Sequence, residues 1–159
     1  MKEREFLLDA NIIIRIWRAY PYLLDKIDAF SGVDYKISKD IAGELSAKEY
    51  RNYNGMPVLT DKFMRLLDHV VDIEAMSGDF KPEMSAMIKY DNSKKIYYIN
   101  ENKLSISDYK LIILCEKFDK FILVTEDKKI YNSAQILLGK PRVLNFEAFI
   151  GELHDIEVF

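Results

Sequence analysis

Phe6-Leu7-Leu8-Asp9-Ala10-Asn11-Ile12-Ile13-Ile14-Arg15-Ile16-Trp17 decides how this chain is read. Three apolar residues in succession suit a short buried strand that ends at Asp9. From Ile12 the apolar period changes. Ile12, Ile13, Ile16 and Trp17 share one face of a helix, with Asn11 as its expected cap. A strand that passes through one acid into an amphipathic helix is the opening unit of an α/β fold.

The same unit recurs along the chain. Pro21 restarts a helix that runs to about residue 30, because proline is tolerated in a first helical turn. Tyr35-Lys36-Ile37 reads as a second strand. Ser38 then caps a helix that carries Ile41, Glu44, Leu45 and Lys48. Residues 51–57 read as a polar loop, 61–68 as a helix, and 70–73 as a third strand. Residues 82–90 read as a helix with Met84, Met87 and Ile88 inward, or with the two methionines on a homodimer face. Ile96-Tyr97-Tyr98-Ile99 reads as a strand outside the main sheet, and its two tyrosines cannot both point inward. Ser105 or Ser107 caps a helix to residue 118. A fourth strand over 121–125, a helix over 128–137, a fifth strand over 142–144 and a helix over 146–153 capped by Asn145 complete the pattern. Near-continuous apolar strands alternating with helices predict an α/β fold with a central parallel sheet of about five strands. The 159 residues are expected to form a single domain, 1–159.

Composition excludes several function classes. No apolar run approaches the ~18 residues of a membrane span, and the first residues lack a signal-peptide pattern. One cysteine forbids an internal disulfide and fits a reducing cytoplasm. Six scattered glycines form no phosphate-binding loop, which argues against a nucleotide cofactor. Two distant histidines, His69 and His154, leave little for zinc. The net charge of −3 is unusual for a general polyanion binder.

Ligands of parallel α/β sheets bind beyond the carboxyl ends of the strands. Four acids fall at that edge: Asp9 after strand one, Glu44 in the helix after strand two, Asp108 in the first turn of its helix, and Asp127 after strand four. Each has a plainer reading. Asp9 suits an Asx-turn, Glu44 an i,i+4 pair with Lys48, Asp108 a capping box with Ser105, and Asp127 a helix cap. Together they make a set of clustered carboxylates, which is costly without bound cations. Oxygen donors alone point to Mg²⁺ or Mn²⁺.

These segments also resemble a known family, the PIN-domain nucleases. Phe6-Leu-Leu-Asp9-Ala-Asn11 is similar to their first motif, Ile37-Ser38 through Glu44-Leu45 to the second, Leu104-Ser-Ile-Ser-Asp108 to the third, and Ile122-Leu-Val-Thr125-Glu126-Asp127 to the fourth. Val143-Leu-Asn-Phe-Glu-Ala-Phe149 resembles their last strand and helix. Residues 51–103 are longer than in compact members, and 94–100 match nothing in the pattern. The resemblance implies a three-layer α/β/α sandwich and a metal-dependent endoribonuclease using Mg²⁺ or Mn²⁺. It makes Asp9, Glu44, Asp108 and Asp127 both catalytic and metal-binding, with Asn11 and Thr125 supporting them. Two metals would activate water and stabilise the leaving 3′ oxygen. For small chains of this kind it implies the toxin of a toxin–antitoxin pair, of VapC type, with an antitoxin protein as partner. An RNA-processing nuclease and an idle RNA- or protein-binding module are the alternatives.

RNA must be held against a negative surface. Lys48, Arg51 and Tyr53 interleave basic and aromatic residues after Glu44, a pattern that suits single-stranded RNA and equally an ordinary solvated helix end. Cys115 lies mid-helix in an apolar setting and reads as core. A phosphoaspartate phosphatase would want Asp where Asn11 stands, and a receiver domain would want a phosphoacceptor after strand three. Neither pattern fits.

Overall fold

The computed structural model describes residues 4–53, 56–71 and 88–159, with side chains for all of these except 48–59. In chain order the elements are β1 (Arg4–Leu8), α1 (Ala10–Ala19), α2 (Leu23–Ala29), β2 (Val33–Ser38), α3 (Lys39–Glu49), β3 (Tyr50–Tyr53), β4 (Met56–Leu59), α4 (Asp61–Met64), β5 (Val70–Val71), β6 (Ile88–Asp91), β7 (Ile96–Ile99), β8 (Asn102–Ser105), α5 (Ile106–Lys117), β9 (Phe121–Val124), α6 (Lys128–Leu138), β10 (Val143–Leu144) and α7 (Phe146–Asp155).

The main sheet has the order β10-β9-β1-β2-β5, and every pairing is parallel. Phe6, Leu7 and Leu8 in the central strand are fully buried, as strands covered on both faces require. Crossover connections carry the chain from β1 to β2 and β5 on one side, then back across the sheet to β9 and β10. Accordingly α1 packs on α3, and α5 packs on α6. The result is an α/β fold consistent with a three-layer α/β/α sandwich. The strand order reverses between β1 and β9, which makes that crevice the switch point where such sheets bind ligands.

Several expectations change. The cap of α1 is Asp9, not Asn11, because the backbone leaves β1 extended at Asp9 (φ −73°, ψ 160°) and its Oδ1 accepts from Ala10 N–H. The loop expected over 51–57 contains a hairpin, β3 antiparallel to β4. The helix over 61–68 stops at Met64, and a single 3₁₀ turn over Leu67–His69 leads into β5. Of the helix expected over 82–90, Ile88–Tyr90 belong to strand β6; Met84 and Met87 lie outside the described residues. The strand over 96–99 is, as expected, outside the main sheet, at the centre of a three-stranded antiparallel sheet β6-β7-β8. Of the two candidates Ser105 and Ser107, Ser105 caps its helix, accepting from Asp108 N–H, and Asn145 caps the last helix as expected, accepting from Ala148 N–H.

At the amino end of the sheet His69 clamps three elements. Its Nε2 lies 2.9 Å from Asp28 Oδ1 on α2, and its Nδ1 lies 2.8 Å from the Tyr35 carbonyl on β2. Its ring stacks on that of Tyr35 at 3.8 Å between centroids. Tyr35 is itself fully buried. His69→Ala should therefore cost about 2–3 kcal/mol, because the hydrogen bonds and the ring stacking both disappear. Urea unfolding reads this directly. A loss below ~0.5 kcal/mol, the range of ordinary surface substitutions, would show that the clamp does not hold the fold.

Candidate active site

The crevice between β1 and β9 is closed by backbone bonds that continue past the strand ends. Asp9 N–H donates to the Val124 carbonyl at 3.1 Å, and Thr125 N–H to the Leu144 carbonyl at 3.0 Å. These bonds bring Asp9 and Thr125 side by side. The Thr125 hydroxyl donates to Asp9 Oδ2 at 2.7 Å and accepts the Asp127 N–H at 3.1 Å. Asp9 Oδ1 accepts from Ala10 N–H at 2.8 Å. Asp9 is 6% exposed and Thr125 0%, so this is a buried polar network in which each member has a partner.

Burial pushes the Asp9 carboxyl above its usual range; the Thr125 and Ala10 hydrogen bonds work against that, and the Asp108 and Asp127 charges reinforce it. Asp108 is raised as well, chiefly by burial. Its hydrogen bonds to Ser105 oppose the shift, while the Asp127 and Glu44 charges add to it. The charges couple in sequence: Asp108 and Asp127 act on Asp9, and Asp127 and Glu44 act on Asp108. No three of them bring carboxylate oxygens within 4.8 Å of one another; among the described residues only Asp28, Asp34 and His69 do that, at the opposite, amino edge.

The plainer roles of two acids are also realised. Asp127 Oδ1 caps α6 through Lys129 and Ile130 N–H. Asp108 answers the Ser105 cap of α5 in a capping box. A cap fixes the carboxylate rather than consuming it, since each oxygen has a second lone pair. Glu44 is exposed in α3, and Asn11 is exposed in the first turn of α1. The Asp9 network runs through Thr125 and not through Asn11.

Lys48 lies in the last turn of α3, and Arg51 and Tyr53 lie on β3. The helix therefore does not continue through them, and their side chains are outside the described residues. Beside the network, Thr125, Glu126, Lys128, Tyr131 and Asn145 line a cavity of about 210 Å³. Glu126 forms an ion pair with Arg15, whose guanidinium lies 4.3 Å from the centre of the Phe146 ring. The sequence carries no local sign of this group, because it depends on β9 and β10 being neighbours. Cys115 is fully buried, and burial pushes its thiol up to about 12. It is core, as expected, and not a nucleophile.

No family model matches the chain, and no curated protein does. No helix among the described residues is long and apolar enough to cross a membrane.

Proposed function

We propose that this chain is a metal-dependent endoribonuclease of the PIN type, with Asp9, Glu44, Asp108 and Asp127 as its catalytic acids. The observation that carries the reading is the buried Asp9–Thr125–Asp127 network at the switch point of the sheet, with Asp108 near enough to raise the Asp9 carboxyl. A buried carboxylate repelled by its neighbours is well placed to bind a cation, and here it does so beside its role as the cap of α1.

The donor set, carboxylate oxygens alone, fits Mg²⁺ or Mn²⁺ in chemistry. Such ions, when bound, supply Lewis-acid charge that makes water a nucleophile at neutral pH and neutralises a departing oxygen. The side chains do the positioning. Thr125 fixes the Asp9 carboxylate through Oδ2, and Ala10 N–H fixes it through Oδ1. Two N–H groups of α6 hold Asp127. Ser105 and the start of α5 favour the ionised form of Asp108. Glu44 contributes from the solvent side. Lys48, Arg51 and Tyr53 belong to the same reading as RNA contacts where α3 meets β3. An antitoxin protein as partner belongs to it too; arrest of cell growth on expression, relieved by that partner, tests the toxin role.

Protein stripped with chelator should leave single-stranded RNA intact. Mg²⁺ or Mn²⁺ should restore cleavage with 5′-phosphate and 3′-hydroxyl ends, because activated water expels the 3′ oxygen. Ca²⁺ should support cleavage poorly, being larger and looser in geometry. Cleavage that persists in chelator and leaves cyclic-phosphate ends would overturn the reading.

A further inference from the structure

The three-stranded sheet β6-β7-β8 precedes α5; it holds residues 94–100, which match nothing in the nuclease pattern, and its last strand runs into the third motif at Leu104. Its register separates two faces. Tyr90, Tyr97 and Leu104 lie opposite one another across the strands, and so do Lys89, Tyr98 and Lys103. The first row faces inward: Tyr97 is 4% exposed and Leu104 1%, and Tyr97 stacks on Tyr109 of α5 at 4.0 Å. The second row must then face outward, because successive strand residues alternate. Lys89 and Lys103 are exposed and Tyr98 is half-buried between them.

We propose that this outer face docks single-stranded RNA, with Tyr98 as a base-stacking platform between Lys89 and Lys103.

Charge complementarity selects the occupant. Residues 88–105 carry Lys89, Lys94, Lys95 and Lys103 against Asp91 and Glu101, in a chain whose net charge is −3. Asp91 is also engaged by the turn, accepting from Ser93 and from Lys94 N–H. Among the described residues neither Lys89 nor Lys103 forms an ion pair. A negative protein that binds a polyanion has to gather its cations locally, and here they flank an aromatic ring on a sheet face. That combination of phosphate pairing and stacking suits unpaired bases. A protein partner would want a broad apolar centre, and this face offers only Ile96 and Tyr98, both half-buried. Direction fits as well, since β8 runs straight into Ser105 and the first turn of α5, where Asp108 stands. The surface deepens the nuclease reading, on which the choice of RNA rests, by naming where the substrate strand lies before it reaches the acids.

Binding and cleavage separate the two. A labelled mixed-sequence RNA of about ten nucleotides, within the usual site sizes for single strands, is titrated with the full chain in chelator. Tyr98→Ala should weaken binding at least about fivefold, and Tyr98→Phe should not. Lys89→Ala with Lys103→Ala should flatten the slope of log K against log salt by about 1.4, or about 0.7 for each phosphate no longer neutralised. Asp9→Asn should bind as the parent does. Unchanged affinity in Tyr98→Ala at an unchanged melting temperature overturns the platform, as does equal binding of duplex and single strand. Absence of RNA binding, or a protein retained on this face instead, overturns it too. If the platform variants lose affinity while Asp9→Asn still cleaves in Mg²⁺, the platform stands and the catalytic reading falls.

Discussion

Asp9→Asn is expected to abolish metal-dependent cleavage and leave the fold intact. The change keeps Oδ1 for the Ala10 N–H, and the Thr125 hydroxyl can turn to accept from the new amide. What disappears is a negative charge at the centre of the proposed site. Losing ~4 kcal/mol of metal-derived stabilisation lowers the rate at least about a thousandfold. Mn²⁺ binding, followed by calorimetry, should fall with it.

Stability should move the other way. Burial, aided by the Asp108 and Asp127 charges, raises the Asp9 carboxyl in the native state. The native chain therefore holds this proton more tightly than the unfolded chain does. Below the ordinary carboxylate value of ~3.9 the site is protonated in both states, and its charge costs nothing. As pH rises through the raised native value, that advantage is lost and metal-free stability falls. Asp9→Asn should flatten this part of the pH profile and at pH 7 be as stable as the parent or more so. A melting temperature more than ~3 °C lower, worth about 1 kcal/mol for a chain of this length, would make Asp9 structural instead. Parent-like cleavage would remove it from the mechanism.

Tyr109→Ala is expected to destabilise the protein by about 3–5 kcal/mol, as truncation of a buried aromatic ring usually does. Tyr109 is fully buried, and the ladder Tyr109–Tyr97–Tyr90 runs from α5 into the three-stranded sheet with centroid spacings of 4.0 and 4.5 Å. Truncation leaves a cavity beneath Tyr97 and loosens the sheet that carries Lys89, Tyr98 and Lys103. RNA affinity should fall along with stability, whereas Tyr109→Phe should preserve the stack. Urea unfolding measures the first effect and the RNA titration the second. A loss below ~1 kcal/mol would mean that the sheet is seated by contacts other than this ladder.

Local sequence reached a long way into the fold. Phe6-Leu7-Leu8 and Phe121–Val124 are apolar without interruption because both of their faces are covered, so these two central strands were legible from hydrophobic runs alone, whereas β2 shows through the alternation of Tyr35, Lys36 and Ile37. The caps at Ser38, Ser105 and Asn145 were legible because a short oxygen-bearing side chain before an apolar period satisfies helix N–H groups. The errors lie where one pattern has two solutions. Met84, Met87 and Ile88 suit a helical face, yet Ile88, Lys89 and Tyr90 alternate, and only pairing with β7 makes alternation the stable choice. Asp9 and Asn11 both suit a cap, and the extended backbone leaving β1 selected Asp9. The cluster of Asp28, Asp34 and His69 went unread, because its members meet only when α2, β2 and the turn before β5 pack together.

The sequence by itself determined the α/β class, the five strands of the main sheet and most of the helix starts, because these follow from periods and caps within a few residues of one another. The tertiary structure alone decided which strands are neighbours. With that it decided that Thr125 bonds to Asp9 across 116 positions, that the Asp108 and Asp127 charges reach Asp9, and that Tyr97 turns in while Tyr98 turns out. Those contacts depend on sheet order and register, which are set by the summed burial of the whole core and by no short stretch of chain.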